Sequence, residues 1–207
     1  MGLNKELDGF MVVSLEQAVA APYCGTLLAD AGARVIKVER PEGDFARGYD
    51  AGANGQSAIF AWLNRGKESI ALNLKTPEDT ALLCRILKNA DVFLSNLAPG
   101  AIDRLGLTGS KLRRDNPGLI SCTITGYGDT GDAAQKKAYD FLVQGESGLI
   151  SVTGSPDAMG RVGASVCDIA AGMYSKIAVL EALILRGRTG EGSGIKTSMF
   201  GGMVEWL

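Results

Sequence analysis

Short, continuous apolar runs alternate along this chain with stretches of helical periodicity. Residues 10–15 (FMVVSL), 33–41 (ARVIKVERP), 69–74 (SIALNL), 91–95 (DVFLS) and 119–125 (LISCTIT) have strand length and no polar alternation. That is the pattern of strands covered on both faces. Between the first two runs, EQAVAAPYCGTLLADAG reads as a helix, with Pro22 suited to its first turn, Tyr23, Leu27, Leu28 and Ala31 as its apolar stripe and Gly32 as its stop. Thr76-Pro77-Glu78-Asp79 opens a second helix with a cap, a proline and acid at the positive end of the dipole, and Leu82, Leu83, Ile86 and Leu87 give it a buried face. Short helices are expected near residues 101–105 and 110–115, with one or two helical turns in 138–149. The alternation predicts an α/β fold: a Rossmann-like, open, mainly parallel sheet with helices on both faces and right-handed crossovers.

The last long helix starts near Asp168, in RVGASVCDIAAGMYSKIAVLEALILRGR. Ile169, Met173, Ile177, Leu180 and Ile184 recur at helical steps and share one face. A carboxylate at the start of such a helix can be an N-cap or a catalytic group on a rigid element. The stretch by itself favours the cap and leaves both readings open. TGEGSG then turns the chain into a final strand, IKTSMF, and the helix-competent GGMVEWL.

Two segments resist assignment. Residues 42–67 and 126–137 are polar and glycine-bearing, and loops this long in a compact domain are commonly functional. A dinucleotide site fails on a specific point. Glu39 falls near where a ribose-binding acid would sit, but the first strand-to-helix turn, SLEQAVAAP, has no glycine to let backbone approach a pyrophosphate. Gly190, Gly192 and Gly194 lack the Lys-Ser/Thr of a phosphate loop.

Composition narrows the chemistry. The 207 residues carry a formal net charge of −2 with no basic stripe, which argues against nucleic acid as a partner. No apolar run approaches the ~20 residues that span a bilayer, and the N-terminus lacks the apolar core of a secretory leader. Four separated cysteines (Cys24, Cys84, Cys122, Cys167) and no histidine argue against disulfides and zinc and for a cytoplasmic location. Without histidine, an imidazole base within this chain is excluded, so any catalysis falls to Asp, Glu, Lys, Tyr, Ser or Cys.

Several ordered motifs together resemble the N-terminal half of the family III CoA-transferases. They are AAPYCGTLLADAGARVIKVERP, NRGKESIALNLKTPE, NLAPGAIDRLGL, the CDIAAG segment with Asp168, and RTGEGSGIKTSMF. The resemblance implies transfer of CoA from an acyl-CoA to a carboxylic acid, with Asp168 as nucleophile and aspartyl anhydride and aspartyl-CoA thioester intermediates. A carboxylate ionised at pH 7 suits that role, and a helix N-terminus is expected to help keep it ionised. With this context Asp168 reads as catalytic, whether or not it also caps.

The same resemblance places Arg40 at the CoA phosphates and Leu72, Asn73, Leu74 and Lys75 at the adenosine end. It places Asn96, Leu97 and Arg104 in a further CoA contact region, with Lys137 and Tyr139 near the pantetheine and acyl group. Val19 stands where some members carry glutamine, which counts against a formyl and oxalyl substrate pair. Tyr139 and Asp140 stand where related racemases hold a histidine, which counts against racemisation. The polar loop and AYDFLVQGESGL look most like branches acting on short dicarboxylic acyl groups. Residues 1–190 are expected to form the CoA-binding large domain, and 191–207 the last strand and the start of a linker to a small domain. Family members run to about twice this length and form interlocked homodimers, so this chain alone is expected to be inactive. An acyl-CoA racemase and a non-catalytic CoA-binding fragment are the competing readings. CoA enters as substrate, and no metal is implied.

Overall fold

In a computed structural model that describes residues 5–207, the core is a sheet of six parallel strands in the order β3-β2-β1-β4-β5-β8. The first residues of the N-terminus read above for a leader lie outside the described residues. The chain runs β1 (Met11–Leu15), α1 (Ala20–Asp30), β2 (Arg34–Glu39), α2 (Ala58–Asn64), β3 (Lys67–Ala71), α3 (Pro77–Leu87) and β4 (Val92–Ser95). It continues through α4 (Ala101–Arg104), α5 (Gly109–Asp115), β5 (Ile120–Thr125) and α6 (Asp140–Glu146). A small antiparallel hairpin, β6 (Gly154–Ser155) and β7 (Ala158–Met159), precedes α7 (Val166–Thr189), β8 (Gly194–Ser198) and α8 (Met199–Val204). Sequence and structure agree on the α/β class, with helices on both faces.

The apolar strand runs explain the layering. On one face Val12, Val35, Val92, Leu94, Ile120, Cys122 and Ile124 pack with Cys24 and Leu28 of α1 and Ala170, Ala171 and Val179 of α7. On the other, Val13, Leu15, Val38 and Phe93 pack with Leu83 and Leu87 of α3 and with Leu107 and Leu119. β1 pairs in parallel with both β2 and β4, so the order of connection reverses between β1 and β4. In open parallel sheets ligands bind in the crevice outside the carboxyl ends at such a reversal.

Five expectations need correction. The strand expected over 69–74 is β3, Lys67–Ala71, so Leu72, Asn73 and Leu74 lie past its carboxyl end. Glu16 to Val19 are a turn, and α1 begins only at Ala20. The segment 42–67 is not irregular throughout: Ser57 accepts a hydrogen bond from Phe60 N at 3.0 Å and caps α2, which buries Leu63. Thr76 precedes α3 without capping it; its hydroxyl donates to Asn73 O at 2.9 Å instead. Met199 and Phe200, read as strand, begin α8.

The long helix differs in a more informative way. The stripe of Met173, Ile177 and Ile184 is left largely exposed. The face that α7 buries is made of small residues: Cys167, Ala170, Ala171, Gly172, Ser175, Val179 and Ala182. Periodicity weighs large apolar side chains, whereas close helix approach selects small ones.

Candidate active site

The site is built around the glycine-free turn that leaves β1. Asn96, just past β4, bridges the reversal point: its Oδ1 accepts from Gln17 N at 2.9 Å and its Nδ2 donates to Gln17 O at 2.8 Å. Ala18 takes a left-handed conformation with φ of 61°. In a residue with a Cβ this conformation costs on the order of 1 kcal/mol and persists only where surrounding structure enforces it. Here Asp44 Oδ1 accepts from Ala18 N at 3.4 Å. The turn thus delivers Ala20, the first residue of α1, against α7 one helical turn from Asp168, where a Cβ on Gly172 would lie 2.7 Å from Ala20 O. The Ala20 N–H favours the charged form of the Asp168 carboxyl.

Asp168 occupies the first turn of α7. Helices α7 and α1 approach closely because Gly172 has no side chain. A Cβ there would lie 2.7 Å from Ala20 O and 3.1 Å from the Tyr23 ring. Asp168 is not the helix cap. Ser165 holds that position without a side-chain bond, and the capping is done from α6. Asp140 Oδ1 accepts from Cys167 N at 2.7 Å and from Asp168 N at 3.4 Å, while its Oδ2 accepts from Gln144 Nε2 at 2.6 Å. Gln144 is fully buried, and its Oε1 accepts from Val162 N at 2.8 Å.

This environment corrects the expected ionisation. Burial first, and the Asp140 carboxylate second, push Asp168 up to about 7, against the Ala20 N–H that favours the charged form. The helix N-terminus does not keep this group well below neutrality. The neighbouring Cys167 thiol is pushed up to about 12 by burial and by Asp140, so it is not a thiolate nucleophile at neutral pH.

Alongside the turn runs a cleft of about 630 Å³, within the range of small-molecule sites. Arg40, Leu72, Asn73, Leu74, Lys75 and Leu97 all line it, together with Leu15, Val38 and Leu105. Six residues chosen from sequence therefore converge on one cavity. Asn96 lies at its base, its amide committed to Gln17. Val19 is buried beside the turn. Arg104 lies on α4 and is exposed, with its guanidinium against Gly100 rather than in the cleft lining. Lys137 and Tyr139 are exposed on the approach to α6, away from that lining.

Along the cleft, with Glu16, Glu39 and Asp44 in its lining, runs an ionic network that sequence reading did not find. Lys37 and Asp44 pair at 2.8 Å with side chains only 1% exposed each, and Lys67 pairs with Glu16 at 2.6 Å. Glu39 accepts from Arg47 at 2.7 and 2.9 Å, from Ser69 at 2.7 Å and from Asp44 N at 2.9 Å. Burial alone would raise Glu39, but these donors outweigh it and hold the carboxyl at about 2. Tyr49 was also missed. Its hydroxyl is raised by burial and then by Asp44, Asp168 and Tyr139, which locates it among those groups. The one available signal was Asp140 and Gln144 at i and i+4, neighbours on a helix face.

The fold is an open parallel α/β sheet with a cleft of small-molecule size at its reversal point. The sequence profile of CoA-transferase family III matches residues 7–207, and the chain belongs to that family. It is 42% identical over 203 residues to the acetyl-CoA:oxalate CoA-transferase of Acetobacter aceti, covering 97% of this chain and 52% of that protein. It is 43% identical over 202 residues to the succinate–glutarate CoA-transferase of Agrobacterium fabrum, covering 93% of this chain and 50% of that protein. A CaiB/BaiF family protein from Brucella suis superposes with a TM-score of 0.93 at 41% identity, over 98% of this chain and 55% of that one. The chain spans about half the length of the curated relatives it matches.

Proposed function

We propose that this chain carries the nucleophile and much of the CoA cleft of an enzyme that moves CoA from an acyl-CoA to a short dicarboxylic acid. The observation that carries the reading is Asp168, set in the first turn of α7 and facing the Ala20 N–H beside the reversal-point cleft. The succinate–glutarate and acetyl-CoA:oxalate names of its relatives support the substrate class.

In this reading Arg40 and Lys75 hold the phosphates, and the apolar strip of Leu15, Val38, Leu72, Leu74 and Leu97 takes the adenine. Ionised Asp168 attacks the thioester carbonyl, forming a mixed anhydride and expelling CoA thiolate. The thiolate attacks the aspartyl carbonyl, giving aspartyl-CoA thioester and releasing the donor acid. The acceptor carboxylate attacks that thioester, forming a second mixed anhydride and expelling CoA thiolate. The thiolate attacks the acceptor's acyl carbonyl to give the new acyl-CoA and release the Asp168 carboxylate. No proton is removed from carbon, consistent with a site without histidine. The backbone N–H of Ala20 stands where it can stabilise charge developing on the Asp168 oxygens. The family resemblance adds Lys137 and Tyr139 at the pantetheine and acyl end and Arg104 as a further CoA contact, all three outside the cleft lining. The exposed Met173, Ile177 and Ile184 stripe supports a homodimer.

The test is isotope exchange: with labelled succinyl-CoA and glutarate, the intact enzyme yields glutaryl-CoA. Asp168→Asn is expected to lower kcat at least 10³-fold with CoA affinity retained. Full turnover in that variant would sink the reading.

A further inference from the structure

We propose that Asp44, fixed by Lys37, is a positioning residue for Asp168: it holds the left-handed Ala18 turn that aims the Ala20 backbone N–H at the Asp168 carboxylate. The proposal rests on the reading of Asp168 as nucleophile.

The first three residues of the turn are each gripped by a side chain from a distant segment. Lys67 Nζ holds Glu16 Oε1 at 2.6 Å, Asn96 holds both backbone groups of Gln17, and Asp44 Oδ1 accepts from Ala18 N. Among these, Asp44 acts on the residue whose conformation is strained. Its own place is over-determined. Oδ2 accepts from Lys37 Nζ at 2.8 Å, Oδ1 accepts from Ala46 N at 2.9 Å, and its N–H donates to Glu39 Oε2 at 2.9 Å. Lys37 is one of the largest fully buried side chains, with its ammonium 5.4 Å above the centre of the Phe60 ring.

A buried ion pair gives little net stability over apolar residues of similar volume. What this pair supplies is a fixed acceptor under a turn that has no glycine to relax it. Ala20 lies two residues beyond Ala18, so a change in the Ala18 torsion swings the N–H that faces Asp168. Asp44 also lines the cleft, but its carboxylate oxygens are taken up by Lys37 Nζ, Ala46 N and Ala18 N, so its effect on Asp168 runs through the turn. The groups that face Asp168 are Asp140 from α6, Tyr49 from the loop after β2, and Cys167 beside it on α7. None of these residues is replaced in the variants below, and the loss of the Asp44 charge near Tyr49 is common to the Leu and Asn pairs.

The test uses the intact enzyme with succinyl-CoA and glutarate. Lys37→Met/Asp44→Leu removes both charges together and takes away the acceptor for Ala18 N–H. Glu16 keeps Lys67 and loses only its 3.6 Å contact with Lys37, a loss the Asn pair below shares. It is expected to lower kcat about tenfold or more, to leave KM for succinyl-CoA within about threefold, and to move the acid limb of kcat/KM up by about half a pH unit. Lys37→Met/Asp44→Asn keeps a neutral acceptor and is expected to retain kcat within about threefold. A purely structural role would lower the amount of active protein and leave the acid limb in place. Should the first variant not fold, Ala18→Val adds strain at the turn without touching a charge, and the same losses are expected. Unchanged kcat and an unmoved acid limb in either variant overturn the proposal. Equal losses in the Asn pair overturn it as well, since charge rather than position would then matter. The wild-type enzyme is checked for CoA bound covalently to Asp168 under the same conditions. Its absence sinks the nucleophile reading and the proposal with it, whereas an adduct alongside unaffected variants sinks only the role of Asp44.

Discussion

A carboxyl group that titrates at about 7 is close to half ionised in neutral solution, and Asp168 is such a group. As a nucleophile it must be ionised, so kcat/KM should fall as pH drops below about 7, by about tenfold per unit once well below the midpoint. An acid limb near the ordinary aspartate value would contradict this. The same shift makes a stability prediction of definite sign. The folded-state value lies above the unfolded one, so the contribution of this group is complete at low pH and is lost as pH rises through about 7. Asp168→Asn, which cannot ionise, should therefore raise Tm at pH 8 and much less at pH 5, by differential scanning calorimetry. The carboxylate is recognisable in the sequence by its place at a helix start. Its ionisation is not, because Asp140 lies 28 positions away and reaches it only through the packing of α6 on α7.

At the scale of elements, the inner strands β1, β2, β4 and β5 were legible because a sheet covered on both faces demands unbroken apolar runs. By contrast β3, a largely exposed edge strand, begins two residues before its expected start. The turn after β1 was not. Its helix-like composition conceals a left-handed alanine that Asp44, Asn96 and Lys67 hold from distant segments. The inward face of α7 was illegible for a related reason: its stripe of large residues points outward, while Gly172 sits against α1. Gly172→Ala sets a Cβ 2.7 Å from Ala20 O, a backbone atom that cannot swing aside. It should destabilise the fold by about 1–3 kcal/mol in urea denaturation and lower kcat by separating Asp168 from the Ala20 N–H. Unchanged stability and rate would mean the two helices can part freely.

At the scale of the whole molecule, motif order located the cleft better than it located the approach to it. Arg40, Leu72 to Lys75 and Leu97 share one cavity because they follow the carboxyl ends of neighbouring parallel strands, a relation that chain order alone implies. Arg104, Lys137 and Tyr139 lie on exposed elements beyond it, where position depends on loops that periodicity does not fix. The apolar stripe of α7 belongs to this scale too. Ile177→Glu puts a charge in its middle and, if the proposed homodimer forms across this stripe, is expected to shift the intact protein toward monomer by analytical ultracentrifugation, with its circular dichroism unchanged. A dimer of undiminished affinity would place the interface elsewhere.

The most direct measurement of the central claim is covalent. The intact protein, incubated with succinyl-CoA without acceptor, quenched in acid and digested, should carry on the Asp168 peptide a mass gain of one CoA less one water. Adding glutarate before the quench should remove it. A CoA adduct on any other residue, or turnover to glutaryl-CoA with Asp168 unmodified throughout, would contradict the account.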